Sequence, residues 1–243
     1  MGDMHAVILA GGKGTRLKPF TMTIPKPLLP LGDVPVLEVV IAQLAAAGFD
    51  RVSLTLNHMA AVFTAQLGNG SRWGISLEYL LEEEPLGTAG SLRLVRDLPE
   101  HFLVMNGDLL TTVSYAGLMQ AHKESGAAAT ISLSERQVII DYGVIVPDAN
   151  NRLSEYREKP VIHYSVSMGI YVLARSALEH IPPTGKFDMP DLMLALHRAG
   201  KTVYCPKSDC YWQDIGRFDD YQRASEDFVN DPERFLPRIA SRP

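Results

Sequence analysis

The first apolar run of this chain, residues 5–9, leads directly into a glycine-rich loop, and this junction constrains the fold more than any other feature. A short continuous apolar run that ends in glycines is typical of a strand buried on both faces of a sheet. Three of the four residues 11–14 are glycine, so the backbone can approach a ligand closely and offer N–H groups to phosphate oxygens. Lys13 and Arg16 add positive charge. The sequence therefore predicts a phosphate-binding loop directly after the first strand.

Strand and helix patterns alternate through the first half of the chain. Apolar or alternating runs predict strands at residues 5–9, 52–56, 75–81 and 102–105, and helical periodicity predicts helices at 36–47, 87–98 and 114–125. Further strands are predicted at 128–133, 143–146 and 167–173, followed by helices at 189–198 and 218–229. This order predicts an α/β fold with a Rossmann-like, doubly wound, mixed but mostly parallel sheet and a strand-rich second half. Ligands of such sheets bind beyond the carboxyl ends of the strands, so functional residues should directly follow strands.

Length and composition predict one globular domain over residues 1–243. A hydrophobic fraction of 46% is enough for a substantial core, and no linker rich in serine, glycine or proline divides the chain. We expect the two halves, about residues 1–125 and 126–243, to contribute different parts of one site.

Charge and cysteine content exclude several classes of protein. A net charge of −5 lacks the basic footprint of a general nucleic-acid binder. The two cysteines, Cys205 and Cys210, have no histidine pair nearby and are too few for a disulfide framework. No run approaches the roughly 20 apolar residues of a membrane span. We therefore expect a cytoplasmic protein with reduced thiols and with neither a nucleic-acid nor a membrane partner.

Two common phosphate-loop motifs do not match the glycine loop. A P-loop requires Ser or Thr after its Gly-Lys pair, but here Lys13 is followed by Gly14. A dinucleotide fingerprint requires a third glycine where this chain has Leu17, which argues against a dinucleotide-dependent oxidoreductase. Downstream, Lys26 stands between two prolines, which stiffen the backbone and present its ammonium at a fixed position.

The segment 9–17 followed by Pro25-Lys26-Pro27 resembles the opening signature of the sugar-1-phosphate nucleotidylyltransferase family, and the resemblance extends over nearly the whole chain. It implies that the first half binds a nucleoside triphosphate and the second half a sugar 1-phosphate. The catalytic residues that it implies are Arg16, Lys26 and Lys159. The implied nucleotide-binding residues are Leu9, Ala10, Gly11, Gly12, Gly14, Thr15, Glu82, Pro85, Gly87, Thr88 and Asn106.

Residue 82 bears on the choice of base. Thymidylyl members of the family carry a base-reading Gln where this chain has Glu82. A carboxylate only accepts hydrogen bonds, and guanine offers two adjacent donors, whereas thymine and uracil offer one donor beside acceptors. The string of residues 82–90 also resembles that of guanylyltransferases that make GDP-mannose or GDP-heptose. GTP is therefore favoured, and a dTTP- or UTP-dependent enzyme is the alternative within the family.

Two aspartates are the expected metal ligands. Asp108 follows a predicted buried strand in Asn-Gly-Asp, and Asp214 lies in a segment that resembles the family's tryptophan–aspartate–glycine motif. The resemblance implies that both bind Mg²⁺, which is usually held by one or two carboxylates together with substrate phosphates. A non-catalytic nucleotide-sugar regulator is the alternative from another class, and the presence of both aspartates and of the expected cations argues against it.

The resemblance places the sugar 1-phosphate on Tyr142, Gly143, Glu158, Lys159 and Ser167. Ser167 stands where the family often carries Asn, and a serine hydroxyl reaches less far than an Asn amide. Which hydroxyl groups of the sugar the site recognises therefore stays open. Mannose and a manno-configured heptose are the leading candidates. Longer family members append a β-helix domain, whose repeat pattern this sequence lacks, so no C-terminal β-helix is expected. The oligomeric state stays open, with a homo-oligomer among the alternatives.

Overall fold

The computed structural model describes residues 4–12 and 14–237; Lys13, predicted to add charge to the glycine loop, lies outside the described residues. The strands are β1 (His5–Leu9), β2 (Pro30–Leu31), β3 (Val34–Pro35), β4 (Arg51–Leu56), β5 (Ser76–Leu81), β6 (His101–Asn106), β7 (Leu109–Thr111), β8 (Ala129–Ile139), β9 (Val144–Pro147), β10 (Leu153–Arg157), β11 (Val161–Ala174), β12 (Val203–Tyr204) and β13 (Trp212–Asp214). The α-helices are α1 (Val36–Ala46), α2 (Ala60–Leu67), α3 (Tyr115–Ser125), α4 (Met189–Arg198) and α5 (Phe218–Asn230).

A seven-stranded sheet in the order β12-β8-β11-β6-β1-β4-β5 forms the centre of the molecule. β6, β1, β4 and β5 are parallel to one another, whereas β11 is antiparallel to both β6 and β8. The predicted α/β fold with a mixed, mostly parallel sheet is therefore confirmed. Because the parallel strands all point one way, their carboxyl ends meet at one edge of the sheet.

Helices cover both faces of this sheet. On one face α1, α2 and α3 pack against alternate residues of the central strands, Ala6 and Ile8 among them. On the other face α4 packs against the intervening residues, including Val7 and Val104. β1 is buried on both sides for this reason, which explains its unbroken apolar sequence. A third cluster joins α5 to Leu17 and to the start of α1, and it anchors the segment after the glycine loop.

The helix predicted at residues 87–98 is wrong. Only residues 90–94 coil, as a short 3₁₀ helix, and Val95 is already extended. The backbone N–H groups of Ala89 and Gly90 both donate to the carbonyl oxygen of Phe187, at 3.0 and 2.8 Å. Gly87, with φ of 80°, and the extended Val95 leave the helical conformation on both sides of this short turn, and the contact with Phe187 fastens the segment to the loop before α4.

The strand-rich second half extends beyond the sheet. β8 pairs with β11 over residues 129–139 and 161–173. The beginning of β8 and the end of β11 are buried, whereas the end of β8 and the beginning of β11 are largely exposed. β9 and β10, which lie between β8 and β11 in the sequence, pair with each other in a separate antiparallel sheet, and most of their side chains are exposed. Along the part of the chain that the structure describes, no helix combines the length and apolar character needed to cross a membrane.

Candidate active site

A cleft of about 300 Å³ opens at the carboxyl ends of β1, β4, β5 and β6. The residues that line it follow these strands, as expected for a doubly wound sheet, or belong to the loops around residues 26, 85 and 187. They are Leu9, Ala10, Gly11, Gly12, Lys26, Pro27, Thr55, Asn57, Glu82, Pro85, Gly87, Thr88, Ser91, Asn106, Asp108, Lys186 and Asp188.

The glycine loop is held to the neighbouring strands by backbone hydrogen bonds. The N–H of Ala10 donates to Thr55 at 3.0 Å, and the N–H of Gly107 donates to Leu9 at the same distance. Gly14 adopts a left-handed conformation, with φ of 59°, and its carbonyl accepts a hydrogen bond from the hydroxyl of Thr21 at 2.8 Å. The chain then makes one 3₁₀ turn over Thr15–Leu17, with Leu17 buried and Arg16 exposed.

Lys26 forms an ion pair with two aspartates on separate segments. Its ammonium contacts Asp108 Oδ2 and lies 4.0 Å from Asp214 Oδ1. The two carboxylates are neighbours because β13 pairs with β7 directly after the loop of Asp108, and the N–H of Ile215 donates to the Asp108 carbonyl at 3.1 Å. Lys26 itself is buried, so its charge is fixed at the floor of the cleft.

The surroundings of Asp214 raise the pKa of its carboxyl group. Partial burial raises the pKa of Asp214, the negative charge of Asp108 raises it further, and Lys26 and Arg16 act in the opposite direction. Groups of three or more metal-ligating side chains do not occur among the described residues. Two carboxylates with room for phosphate oxygens and water suit Mg²⁺, which rarely takes an all-protein cage. The donor set of Asp108 and Asp214 therefore fits the predicted metal.

Glu82 forms part of the wall of the cleft. It is buried, and its Oε2 atom accepts a hydrogen bond from the N–H of Leu86 at 3.0 Å. Burial raises the pKa of Glu82, and the hydrogen bond from Leu86 lowers it by less. One carboxylate oxygen is thus engaged by the backbone, and acceptor capacity remains on this side chain, which lines the cleft.

The loop that carries Gly87 and Thr88 is fastened to the start of α4. Asp188 Oδ1 accepts hydrogen bonds from the N–H of Thr88 at 3.0 Å and from its hydroxyl at 3.4 Å. The Thr88 hydroxyl in turn accepts from the N–H of Met189 at 2.7 Å. Gly87 has φ of 80°, and a Cβ there would lie 2.5 Å from the carbonyl oxygen of Phe187. Only glycine fits this position without a shift of the backbone.

The residues predicted for the sugar do not line this cleft. Glu158 accepts a hydrogen bond from the hydroxyl of Tyr156 at 2.9 Å, beside Gly143, where a Cβ would overlap the Tyr156 side chain. Lys159 forms an ion pair with Asp141 at 3.3 Å, and both side chains are exposed. Tyr142 is 79% exposed, and the hydroxyl of Ser167 donates to that of Tyr171 at 3.1 Å.

The structure brings together most, but not all, of the predicted residues. Nine of the predicted nucleotide-binding residues line the cleft together with Lys26 and Asp108, whereas Gly14 and Thr15 do not. Arg16 and Asp214 stand at its rim, where a Cβ on Gly216 would lie 3.3 Å from Asp214 and 3.8 Å from Arg16. Among the described residues, none of the five predicted for the sugar lines the cleft.

Sequence reasoning missed several residues that line the cleft. Asn57 directly follows β4, so the rule that functional residues follow strands should have included it. Lys186 and Asp188 had no such signal, because they lie in a loop about 100 residues from the Thr88 that Asp188 contacts.

Comparison with known proteins agrees with this geometry. Residues 5–231 match the family described as nucleotidyl transferase. A UTP–glucose-1-phosphate uridylyltransferase of Synechocystis is 32% identical over 91% of this chain and 62% of its own length. A mannose-1-phosphate guanylyltransferase of Mycobacterium tuberculosis is 34% identical over 93% of this chain and 65% of its own length. The chain thus spans somewhat less than two thirds of the length of these two relatives.

Among solved structures, HddC from Yersinia pseudotuberculosis superposes with a TM-score of 0.72 and 27% identity, covering 93% of this chain and 99% of that protein. A second structure of HddC, complexed with GMP-PN, superposes with a TM-score of 0.71. The family model matches almost the whole chain, two relatives exceed 30% identity, and the fold is shared with HddC. The chain belongs to the nucleotidyl transferase family.

Proposed function

We propose that the protein transfers a nucleoside monophosphate from a nucleoside triphosphate to a sugar 1-phosphate, which releases pyrophosphate and gives a nucleotide sugar. The observation that carries this proposal is the cluster of Lys26, Asp108 and Asp214, of which Lys26 and Asp108 line a cleft that begins with a glycine loop. It combines a fixed cation, a pair of carboxylates suited to Mg²⁺ and backbone N–H groups, which are the groups that a reaction between two polyanions requires.

The chemistry needs positioning more than proton transfer. The attacking oxygen of a sugar phosphate is anionic near neutral pH, so no general base is required for its in-line attack on the α-phosphorus. Like charges about 4 Å apart repel by roughly 1 kcal/mol in water and by more at the lower dielectric of a cleft. Lys26 and Arg16 offset this repulsion on the triphosphate, and Lys159 offsets it on the sugar phosphate. Mg²⁺, when bound by Asp108 and Asp214, supplies further neutralisation of phosphate charge.

We propose GTP as the preferred triphosphate. Glu82 supports this choice because an ionised carboxylate at the wall of the cleft accepts both donors on the guanine edge. The guanylyltransferase from Mycobacterium tuberculosis and the complex of HddC with GMP-PN support it as well. UTP is the second candidate, since the Synechocystis relative is named as a uridylyltransferase.

We propose that the sugar is of the manno type, mannose or a heptose, and that it binds between the cleft and the exposed segment 141–159. The support is the name of the mannose-1-phosphate relative and the contact of Glu158 with Tyr156 beside Gly143. Glu158 would accept hydrogen bonds from the sugar hydroxyls.

Pyrophosphate release tests the proposal, with each of GTP, UTP, dTTP, CTP and ATP against a panel of sugar 1-phosphates in the presence of Mg²⁺. We expect release with GTP and a manno-configured sugar phosphate, and its loss in Asp108→Asn, which keeps the shape of the side chain but not its charge. The exposed Asp209→Asn serves as the matched control and should react like the wild type. Release with UTP or dTTP alone would keep the reaction and refute the preference for GTP. A folded protein that binds GTP but releases no pyrophosphate would instead support the nucleotide-sugar regulator.

A further inference from the structure

We propose that Lys186 is a specificity-determining residue that reads the carbonyl group of the base, so that the cleft accepts guanine, uracil and thymine and rejects adenine and cytosine. The inference rests on the proposed function and adds to it a residue from the second half of the chain. Its basis is a chain of contacts that fixes an ammonium beside the loop of Gly87 and Thr88.

This ammonium is tied to the base loop through one intermediate side chain. Lys186 Nζ lies 3.0 Å from Asp188 Oδ2, while the other oxygen of Asp188 accepts from the N–H of Thr88. Between them, the carbonyl of Phe187 accepts from the N–H groups of Ala89 and Gly90. Four hydrogen bonds donated by the loop of Gly87 and Thr88 therefore hold residues 187 and 188 against it.

Asp188 is suited to hold a cation. Its pKa is lowered, first by the hydrogen bond from the N–H of Thr88 and further by Lys186 itself, so the carboxylate stays ionised at neutral pH. An ammonium has three donors and no acceptor. One donor of Lys186 points to Asp188, which leaves two for a ligand, and the side chain, which lines the cleft, is 64% exposed.

The charges that line the described part of the cleft divide between its two ends. Lys26 is paired with Asp108 at the end where Asp214 lies, which is the expected site of the phosphates and the metal. Lys186 and Glu82 belong to the other end, because Glu82 accepts from the N–H of Leu86, whose carbonyl accepts from the N–H of Phe187 beside Lys186. Among the described residues that line the cleft, Lys186 is thus the cation available to a base.

The chemistry of the bases then assigns a task to each group. Guanine, uracil and thymine carry a carbonyl oxygen next to a ring N–H, whereas adenine and cytosine carry an amine at the equivalent position. A group that only donates, such as the ammonium of Lys186, binds the carbonyl and opposes the amine. Glu82 accepts from the N–H beside that carbonyl. Lys186 therefore sorts carbonyl from amine bases, and Glu82 sorts guanine from the pyrimidines.

A nucleotide that differs from GTP at one atom tests Lys186. In 6-thio-GTP the carbonyl oxygen becomes sulfur, a weak acceptor, while both guanine donors remain. We expect the wild type to prefer GTP by about tenfold in kcat/KM, the effect of one hydrogen bond to a charged group. Lys186→Met should reduce this preference to within about threefold, and Lys186→Arg, which keeps a charged donor, should retain most of it.

Two controls separate this role from others. ITP keeps the carbonyl but lacks the exocyclic amine, so the ratio of GTP to ITP should stay unchanged in Lys186→Met and collapse in Glu82→Gln. Lys201→Met removes an exposed lysine that does not line the cleft and should behave like the wild type. An equal loss for GTP, ITP and 6-thio-GTP in Lys186→Met would assign Lys186 to the phosphates and overturn the inference, as would an unchanged preference for GTP over 6-thio-GTP.

Calorimetric titration of the same nucleotides distinguishes the inference from the reaction on which it rests. If the Kd ratio of GTP to 6-thio-GTP changes in Lys186→Met as expected while no sugar phosphate reacts, the proposed reaction fails and the role of Lys186 in reading the base stands. If turnover is normal and neither the kinetic nor the binding ratio changes, the reaction stands and the inference fails.

Discussion

The two glycines that border the expected substrates lie in very different surroundings. Gly87 borders the base end of the cleft, where a Cβ would meet backbone atoms of Phe187, and hydrogen bonds from Ala89 and Gly90 fix the same loop. Gly143 lies in an exposed segment, where a Cβ would meet the far end of the Tyr156 side chain and Glu158. We therefore propose that the end assigned to the nucleotide is built by the fold, whereas the end assigned to the sugar is completed when its substrate arrives.

Lys26→Met should have the largest effect on activity. The substitution removes the buried cation between Asp108 and Asp214, and we expect kcat/KM to fall by about 10²–10³-fold, as for the loss of one preorganised electrostatic group. Lys201→Met provides the matched control. A loss of less than tenfold, measured by pyrophosphate release with the proteins equally folded, would show that this end of the cleft does not carry the reaction.

Gly87→Ala should have the next largest effect, on stability. The left-handed backbone and the 2.5 Å approach of a Cβ to the Phe187 carbonyl oxygen require a shift of the loop or of residues 187–188. We expect the free energy of unfolding to fall by about 1–3 kcal/mol, measured by urea denaturation, and affinity for GTP to fall with it. Unchanged stability would mean that the loop is not held by these contacts.

Gly143→Ala should change the sugar side alone. The added methyl group displaces the exposed side chains of Tyr156 and Glu158 and leaves the backbone in place. We expect the KM for the sugar 1-phosphate to rise by about tenfold through the loss of one charged hydrogen bond, with stability unchanged within about 0.5 kcal/mol. Equal losses for GTP and the sugar phosphate would remove the distinction between the two ends.

The smallest expected effect is that of Glu82→Gln, which should change how the stability of the protein depends on pH. Burial raises the pKa of Glu82 in the folded protein, so the folded state binds more protons than the unfolded state between the ordinary value of 4.5 and the raised one. The free energy of unfolding of the wild type therefore decreases as the pH rises through this window. We expect Glu82→Gln to be more stable than the wild type at pH 7 and to lose this advantage below pH 4.5.

The exposed Glu83→Gln provides the control, and its stability should follow the wild type at both pH values. A Glu82→Gln variant that is less stable than the wild type at pH 7 would contradict the assignment of Glu82 as a buried carboxylate with a raised pKa.

Local sequence patterns predicted the elements whose determinants are local. β1 and its glycine loop, Asp108 after β6 and the apolar face of α4 all follow from periodicity and from the rule that ligands bind after strands. The same rule applies to Asn57, which was missed. The family resemblance, not the spacing of residues, supplied the roles of Lys26, Glu158 and Asp214, and those roles stay predictions.

Determinants that are distant in sequence were not predicted. At residues 87–98 the expected helix is replaced by a short turn between the left-handed Gly87 and the extended Val95, and nothing within these residues indicates the contact of Ala89 and Gly90 with Phe187. For the same reason Lys186 and Asp188 were not expected to line the cleft. The division of the chain into a nucleotide half and a sugar half also stays a prediction, and residues 186–188 of the second half form part of the wall at the base end.

The order of substrate binding tests the contrast between the two ends most directly. In calorimetric titrations with Mg²⁺, we predict that GTP binds the free protein without a sugar phosphate, because its end of the cleft is already assembled. Mannose 1-phosphate should bind only after a non-hydrolysable GTP analogue has been added. The account would be contradicted if mannose 1-phosphate bound the free protein as tightly as it binds the protein with the GTP analogue. It would also be contradicted if GTP bound only after the sugar phosphate had been added.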